Sequence, residues 1–270
     1  MAALTYSGVL NTFSIAGNSQ LEFLQNASFT VTDAQEEGAP ASRFGGNIQG
    51  VKRRGRLQAS LFSDSSTDIR VSHLGLSAAS LGAVNLLSPN IVSRIGFNIA
   101  MEHQMNPGAG TLWEYPLVAD AKLSASLDLT MESGTIPQIL VDMFSATYAN
   151  LNKTLDFTIG GVQIQVPFRM SEAVIPVEKG GLMRYSLTLA DRSARSGVTV
   201  LPSGTTTLLE KALNAPKTAL AFAFTPTSPN NIAMSGNMVF ESVDFTIEDG
   251  RLVPINYAFL TQGTVTGASN

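Results

Sequence analysis

Two stretches decide how this chain is read: VEKGGLMRYSLTL (Val177–Leu189) and IEDGRLVPINYAF (Ile247–Phe259), which lie seventy residues apart. Each has a branched aliphatic residue, Glu, a second charged residue, Gly, one further residue and Leu, and each then runs into a strand pattern. The triplet Ser-Gly-Thr recurs at the same offset, at Ser133–Thr135 and Ser203–Thr205. The chain therefore writes one supersecondary unit twice: Ser-Gly-Thr, helix, strand, loop, strand, acidic glycine turn, final strand.

The helices of this unit are short. Ile139, Leu140, Met143, Phe144 and Tyr148 fall at helical spacing, with Thr135 as a candidate N-cap and Pro137 in the first turn. Leu208, Leu209 and Leu213 do the same before Pro216. The spacing predicts helices over Ile136–Asn150 and Thr206–Asn214, and a weaker one around SAASLGAVNLL.

Everything else reads as strand. ASFTVTD (Ala27–Asp33), RLQASLF (Arg56–Phe62), KLSASLDL (Lys122–Leu129), TLDFTI, VQIQVPF, TALAFAF and NMVFESVDFTI alternate apolar and polar residues. Period-2 alternation between Gly, Pro and Asn marks antiparallel sheet with one buried face. Gly160 and Gly161 signal a hairpin.

A second repeat lies upstream. RLQASL matches KLSASL at an offset of sixty-six, and each follows a long Gly/Pro-containing loop, Asp33–Gly50 and Glu102–Pro116. With this upstream repeat as the front unit and the helix-containing repeat as the back unit, the order front, front, back, back is not a tandem duplication. It fits nesting: an outer, discontinuous domain of residues 1–70 plus 200–270, with an inserted domain at 77–195. The polar links SDSSTD (Ser63–Asp68) and RSARSG (Arg192–Gly197) suit such boundaries, and insertion at a loop costs little closure entropy.

Composition narrows the function. In 270 residues, 44% are hydrophobic, which is enough for a sizeable core. Only 14% are charged, well under the roughly 25% usual for soluble domains. Such a surface suits either coverage by other subunits or exposed strands rich in Ser and Thr. The net charge of −4 argues against holding nucleic acid by phosphate neutralisation. Without Cys there are no disulfides or thiolate metal sites. The N-terminus lacks the basic and apolar regions of a signal peptide, and no apolar run approaches the roughly 20 residues that span a bilayer.

No catalytic constellation emerges. His73 and His103 read as structural or surface residues, and no nucleophile elbow, phosphate loop or dinucleotide fingerprint is present. The chain reads as a non-enzyme with no cofactor and no metal. Interaction residues stand out instead. The basic cluster Lys52, Arg53, Arg54, Arg56 has acidic neighbours Asp33, Glu36 and Glu37, and Trp113 and Tyr115 sit on the second loop, as interface anchors or equally as a satellite core under it. The cluster fits an acidic partner surface or a solvated hairpin base.

The back unit, with its helix, acidic glycine turn and last strand ending in YAFLTQG, resembles the major tail tube proteins of long-tailed bacteriophages. So do the front strands separated by one long loop. Contractile-tail and type VI secretion tubes share that fold. The resemblance implies a mainly β chain with two antiparallel β-sandwich or barrel domains of tube type, each with one short flanking helix. It implies a structural virion protein that forms stacked rings around a channel for DNA ejection, made in the host cytoplasm and located in the virion tail. Two domains per chain favour a trimer with pseudo-six-fold symmetry. Implied partners are further copies of the chain and other tail proteins such as tape measure, terminator and baseplate; DNA passes without specific binding, and no membrane is involved. Asp33, Glu36, Glu37, Lys52, Arg53, Arg54, Trp113 and Tyr115 become candidates for ring-to-ring contact. The alternatives are a tail terminator, baseplate or decoration β-sandwich and, less compatible, a small-molecule or carbohydrate-binding β-protein or an enzyme.

Overall fold

In the computed structural model of this chain, the described residues are 10–19, 24–37, 48–61, 76–87, 90–106, 112–131, 137–145, 147–159, 162–176, 184–191, 199–201, 208–226, 232–248 and 254–269. The first part supplies β1 (Leu10–Ile15), β2 (Asn18–Ser19), β3 (Leu24–Glu37), β4 (Ile48–Leu61), β5 (Leu76–Leu81) and β6 (Val84–Asn85). The middle supplies β7 (Asn90–Asn106), β8 (Tyr115–Met131), α1 (Gln138–Met143), α2 (Tyr148–Leu151), β9 (Asn152–Ile159), β10 (Val162–Val174), β11 (Arg184–Asp191) and β12 (Thr199–Leu201). The last part supplies α3 (Leu208–Asn214), β13 (Leu220–Pro226), β14 (Ile232–Glu248), β15 (Ile255–Thr261) and β16 (Thr266–Ser269). The fold is mainly β, and its named strands belong to one antiparallel sheet. The strands follow the alternation: along β11, Arg184, Ser186 and Thr188 are exposed while Tyr185, Leu187 and Leu189 are buried.

The same order of pairing occurs twice. One run is β2-β1-β13-β14-β15-β4-β3. The other is β6-β5-β9-β10-β11-β8-β7. Each also has one short strand on its longest back strand: β16 on β14, β12 on β10. Irregularities recur with the order. β14 bulges at Glu241 against β15, and β10 at Ser171 against β11, seventy residues earlier. β3 bulges at Gln25 against β4, and β7 at Ser93 against β8, sixty-eight residues later.

The second comparison corrects the sequence reading. Phe29 stands opposite Leu57, and Phe97 opposite Ala125, so RLQASL and KLSASL are related by sixty-eight residues, not sixty-six. A slip of two keeps every side chain on its face, so local alternation could not reveal it. The offset of sixty-six holds at the preceding strands, where the bulges of β1 and β5 fall at Asn11 and Ser77.

Each run curls back on itself. β3 and β13 are four ladder steps apart, roughly 19 Å in a flat sheet. Yet the Phe29 ring lies 5.7 Å from Phe222 and 5.6 Å from Phe224 on β13. In the other run, Phe97 on β7 lies 5.9 Å from Phe157 on β9. The apolar faces thus enclose the core, in which Leu57, Phe240 and Phe259 of one run and Leu127, Phe157 and Phe168 of the other are almost fully buried.

Local structure departs from expectation in two places. The expected helix over Ile136–Asn150 is broken into α1 and α2. The Ser145 hydroxyl accepts hydrogen bonds from the Thr147 N–H (3.3 Å) and the Asn150 side-chain amide (3.0 Å). Thr147 is extended at φ −97°, ψ 110°; hydroxyl competition of this kind interrupts helices. The N-cap of α1 is Pro137, while Thr135 lies outside the described residues. SAASLGAVNLL is not a helix but the hairpin β5–β6, turned at Gly82 with φ 61°. The second expected helix is α3, described from Leu208 to Asn214. The polar links Ser63–Asp68 and Arg192–Gly197 and the pair Gly160–Gly161 lie outside the described residues.

Candidate functional site

The two stretches expected as loops begin and end as ladder. β3 and β4 stay paired out to Glu37 opposite Ile48. β7 and β8 stay paired out to Asn106 opposite Tyr115. Glycine and proline near the tips hid this, because pairing in a ribbon is decided across strands rather than along them. Asp33 therefore sits opposite Arg53, and Ala34 opposite Lys52, within one hairpin; Glu36 lies at a bulge between Gln35 and Glu37. The side chains of Asp33, Glu36 and Glu37 lie outside the described residues.

The structure brings Arg53, Arg54 and Trp113 together inside the chain. The end of the β7–β8 ribbon returns onto β4: the Arg53 N–H donates to the Leu112 carbonyl at 2.7 Å, and the Glu114 N–H donates to the Arg53 carbonyl at 2.9 Å. The Arg54 guanidinium forms a forked pair with the Glu114 carboxylate, at 2.5 Å and 3.2 Å. Arg56 pairs with Glu241 on β14. The sequence reading had set Glu36 and Glu37 beside this cluster and made all of them candidates for ring-to-ring contact. For Arg54 the observed partner is Glu114, sixty residues along the same chain. Tyr115 is partly exposed beside Gly263, whose φ of 80° needs glycine. Lys52 is half-buried.

His103 donates its Nε2–H to the Phe240 carbonyl at 2.8 Å, a structural contact; His73 is outside the described residues. Among the described residues no group of three or more His, Asp or Glu is placed to hold a metal ion. None of the described helices is long and apolar enough to cross a membrane.

What the strands build is a broad two-faced surface. β14 joins the two runs through its C-terminal half, paired with β7 from Ser242 opposite Ala100 to Glu248 opposite Arg94. This makes one continuous order β3-β4-β15-β14-β7-β8-β11-β10. On one face lie the buried Leu57, Phe259, Phe245, Phe97, Leu127 and Leu187. The other face carries Thr30, Gln58, Asn256, Asp244, Asn98, Ser124, Ser126, Asp128, Ser186 and Thr188 by cross-strand register. Arg94 lies between Asp128 (3.6 Å) and Glu248 (3.5 Å), linking β8, β7 and β14 across the junction. Lys122 pairs with Glu102, which raises the lysine's pKa first through that hydrogen bond. Both signs of charge lie on or beside this register: the carboxylates of Glu102, Asp120, Asp128, Glu172, Asp244 and Glu248, and the cations Lys52, Arg54, Arg94, Lys122, Arg169 and Arg184, with Arg56 held by Glu241.

Both ends of this sheet are open among the described residues. β3 has a named strand on one side only, β4. β10 beyond Arg169 has β11 on one side and none on the side where β9 stops. Val174 there is 51% exposed. An open cleft of about 540 Å³ lies beside this end, lined by Asp120, Ala121, Lys122, Leu123, Ser124, Ala190 and Asp191.

Neither the models of known families, nor the curated proteins, nor the solved structures include a match to this chain.

Proposed function

We propose that this chain is a structural assembly protein whose copies form rings that stack into a tube, as phage tail tubes do. One observation carries the reading: the same seven-strand pairing order occurs twice and is joined edge to edge into an eight-strand sheet with an apolar and a polar face. The two runs are read as two copies of one tube-type sandwich, the second inserted into the first. The inserted unit extends to β12, which pairs with β10.

Three such chains supply about 24 long strands, enough to close a wide barrel with an aqueous channel. Closure removes the sheet edges that would otherwise template aggregation, and cyclic symmetry is the common solution for soluble assemblies. The polar face then lines the channel. The chain's net charge of −4 gives no cationic excess to hold phosphate, so DNA passes without being held. The place of action is the tail of a virion. The segments between the paired ribbon strands, 38–47 and 107–111, are assigned to ring-to-ring contact. Arg54 is already satisfied by Glu114, so that role falls to the residues farther out on the ribbons.

Negative-stain microscopy of the purified protein tests this. Tubes with a central channel and rotational symmetry in multiples of three are expected. Single closed rings that never stack would favour a terminator-like role. A protein that stays monomeric at high concentration would refute the assembly reading.

A further inference from the structure

The β14–β7 junction inside the chain has an unfilled counterpart at the two open edges. Seventy residues before the paired half of β14 lies the outer half of β10: Ser242, Val243, Asp244 and Phe245 correspond to Glu172, Ala173, Val174 and Ile175. Sixty-eight residues before the paired part of β7 lies β3: Ala100, Ile99, Asn98 and Phe97 correspond to Thr32, Val31, Thr30 and Phe29.

Burial marks the difference between the filled junction and the open one. Val243, Phe245, Ile95 and Ile99 at the filled junction are at most 2% exposed. Their counterparts Ala173, Ile175, Ala27 and Val31 are only partly buried, packed at the margin of the core.

We propose that β10 of one chain pairs antiparallel with β3 of a second copy, in the register Glu172–Thr32, Ala173–Val31, Val174–Thr30 and Ile175–Phe29. Pro176 ends the ladder because it has no N–H to donate. The register copies Ser242–Ala100 through Phe245–Phe97. It sets Ile175 against the Phe29 ring as Phe245 stacks on Phe97 at 5.3 Å. The proposal rests on the two-copy reading above and adds its partner surface residue by residue.

A second, separate feature agrees. Within the chain, the end of the β7–β8 ribbon is seated on Arg53 of β4. The position corresponding to Arg53 on β8 is Ala121, by the same shift of sixty-eight. Ala121 lines the open cleft. A second copy whose β3 lies along β10 brings its β3–β4 ribbon over that cleft, as the β7–β8 ribbon lies over β4.

The native chain has no Cys, so paired cysteines report one contact. Val174→Cys with Thr30→Cys is in register; Val174→Cys with Ser28→Cys is two residues off. Directly opposed Cβ atoms lie about 4.5–5.5 Å apart and diagonal ones about 7–8 Å, and only the former suit a disulfide. Mild oxidation of the in-register protein should give covalent dimers and a closed trimer, at least tenfold faster than the off-register protein. Glu172→Cys with Thr32→Cys repeats the test at exposed positions, and circular dichroism checks that each variant is folded. Equal rates, a faster off-register pair, covalent chains longer than three, or no linkage would overturn the ladder. Tubes without in-register linkage would sink the ladder and leave the tube reading standing. Linked trimers that never stack would do the reverse.

Discussion

Phe97→Ala and Phe29→Ala should cost the isolated chain different amounts. The two rings occupy corresponding places, and Phe97 has one more aromatic neighbour. It is 2% exposed and lies 5.3 Å from Phe245, 5.9 Å from Phe157 and 6.2 Å from Phe168. Phe29 is 4% exposed and touches two rings, Phe222 and Phe224. Truncating a buried Phe costs about 3–5 kcal/mol through lost transfer energy and the cavity left behind. An aromatic pair adds about 0.5–1.5 kcal/mol beyond burial. Both variants should therefore fall in the range of about 3–5 kcal/mol, with Phe97→Ala the more costly by about 1 kcal/mol. Urea unfolding of dilute protein, followed by circular dichroism, measures the difference. At concentrations where rings form, Phe29 gains Ile175 of the second copy, and the gap should narrow. A Phe29 variant as costly as the Phe97 variant in the isolated chain would refute the claim that the Phe29 edge is incomplete. A Phe97 cost under about 1 kcal/mol would refute its burial at the junction.

Four other outcomes are expected. Asp142 is buried, and hydrogen bonds from Lys153 (2.6 Å) and then Gln138 (2.9 Å) hold its pKa below the ordinary 3.8. A depressed carboxylate stabilises the fold above its unfolded pKa and loses that contribution as pH falls through its folded pKa. Asp142→Asn should thus cost about 1–3 kcal/mol at neutral pH and flatten the acid limb of the stability profile. The Tyr185 hydroxyl is buried without a hydrogen-bond partner among the described residues, and desolvation pushes its pKa up to about 12. The raised pKa makes stability fall as pH rises from the unfolded value of about 10 toward 12. Tyr185→Phe should remove that fall and gain about 1 kcal/mol at neutral pH by deleting an unsatisfied group; a loss would reveal a partner for the hydroxyl. Gly55→Val should destabilise by about 1–3 kcal/mol, because a Cβ there would meet Thr261 Cγ2 at 2.6 Å and Oγ1 at 2.8 Å; unchanged thermal unfolding would contradict that packing. A double-mutant cycle of Arg54→Ala and Glu114→Ala should give a coupling of about 1 kcal/mol that weakens with added salt; no coupling at low salt would mean the ribbon end is not seated on β4.

Much of the fold was legible from local pattern. Alternation in RYSLTL or RLQASL states which side chains face the core, since successive strand residues point to opposite faces. The seventy-residue offset recurs in the bulges at Ser171 and Glu241. The candidate surface was less legible. Arg53, Arg54 and Trp113 drew notice by type alone. Glu114, which completes the cluster, was overlooked because it is sixty residues from Arg54 along the chain, and nothing local links them. The open edges at β3 and β10 gave no signal, since an edge strand reads like a paired one. Only the partial burial of Ala27, Val31, Ala173 and Ile175 distinguishes them.

The sequence by itself determined that the chain is strand-built, which face of each strand is apolar, and that each back unit carries a helix ahead of its strands, because these follow from residues a few positions apart. Tertiary structure alone decided that the ribbons continue past Asp33 and Glu102, that the front strands are related by sixty-eight residues, and that β14 takes β7 as its neighbour. The physical reason is common to all three. A strand's side-chain period is fixed along the chain, but its hydrogen bonds are made across it, so register and partner are settled only when distant strands compete for the same edge.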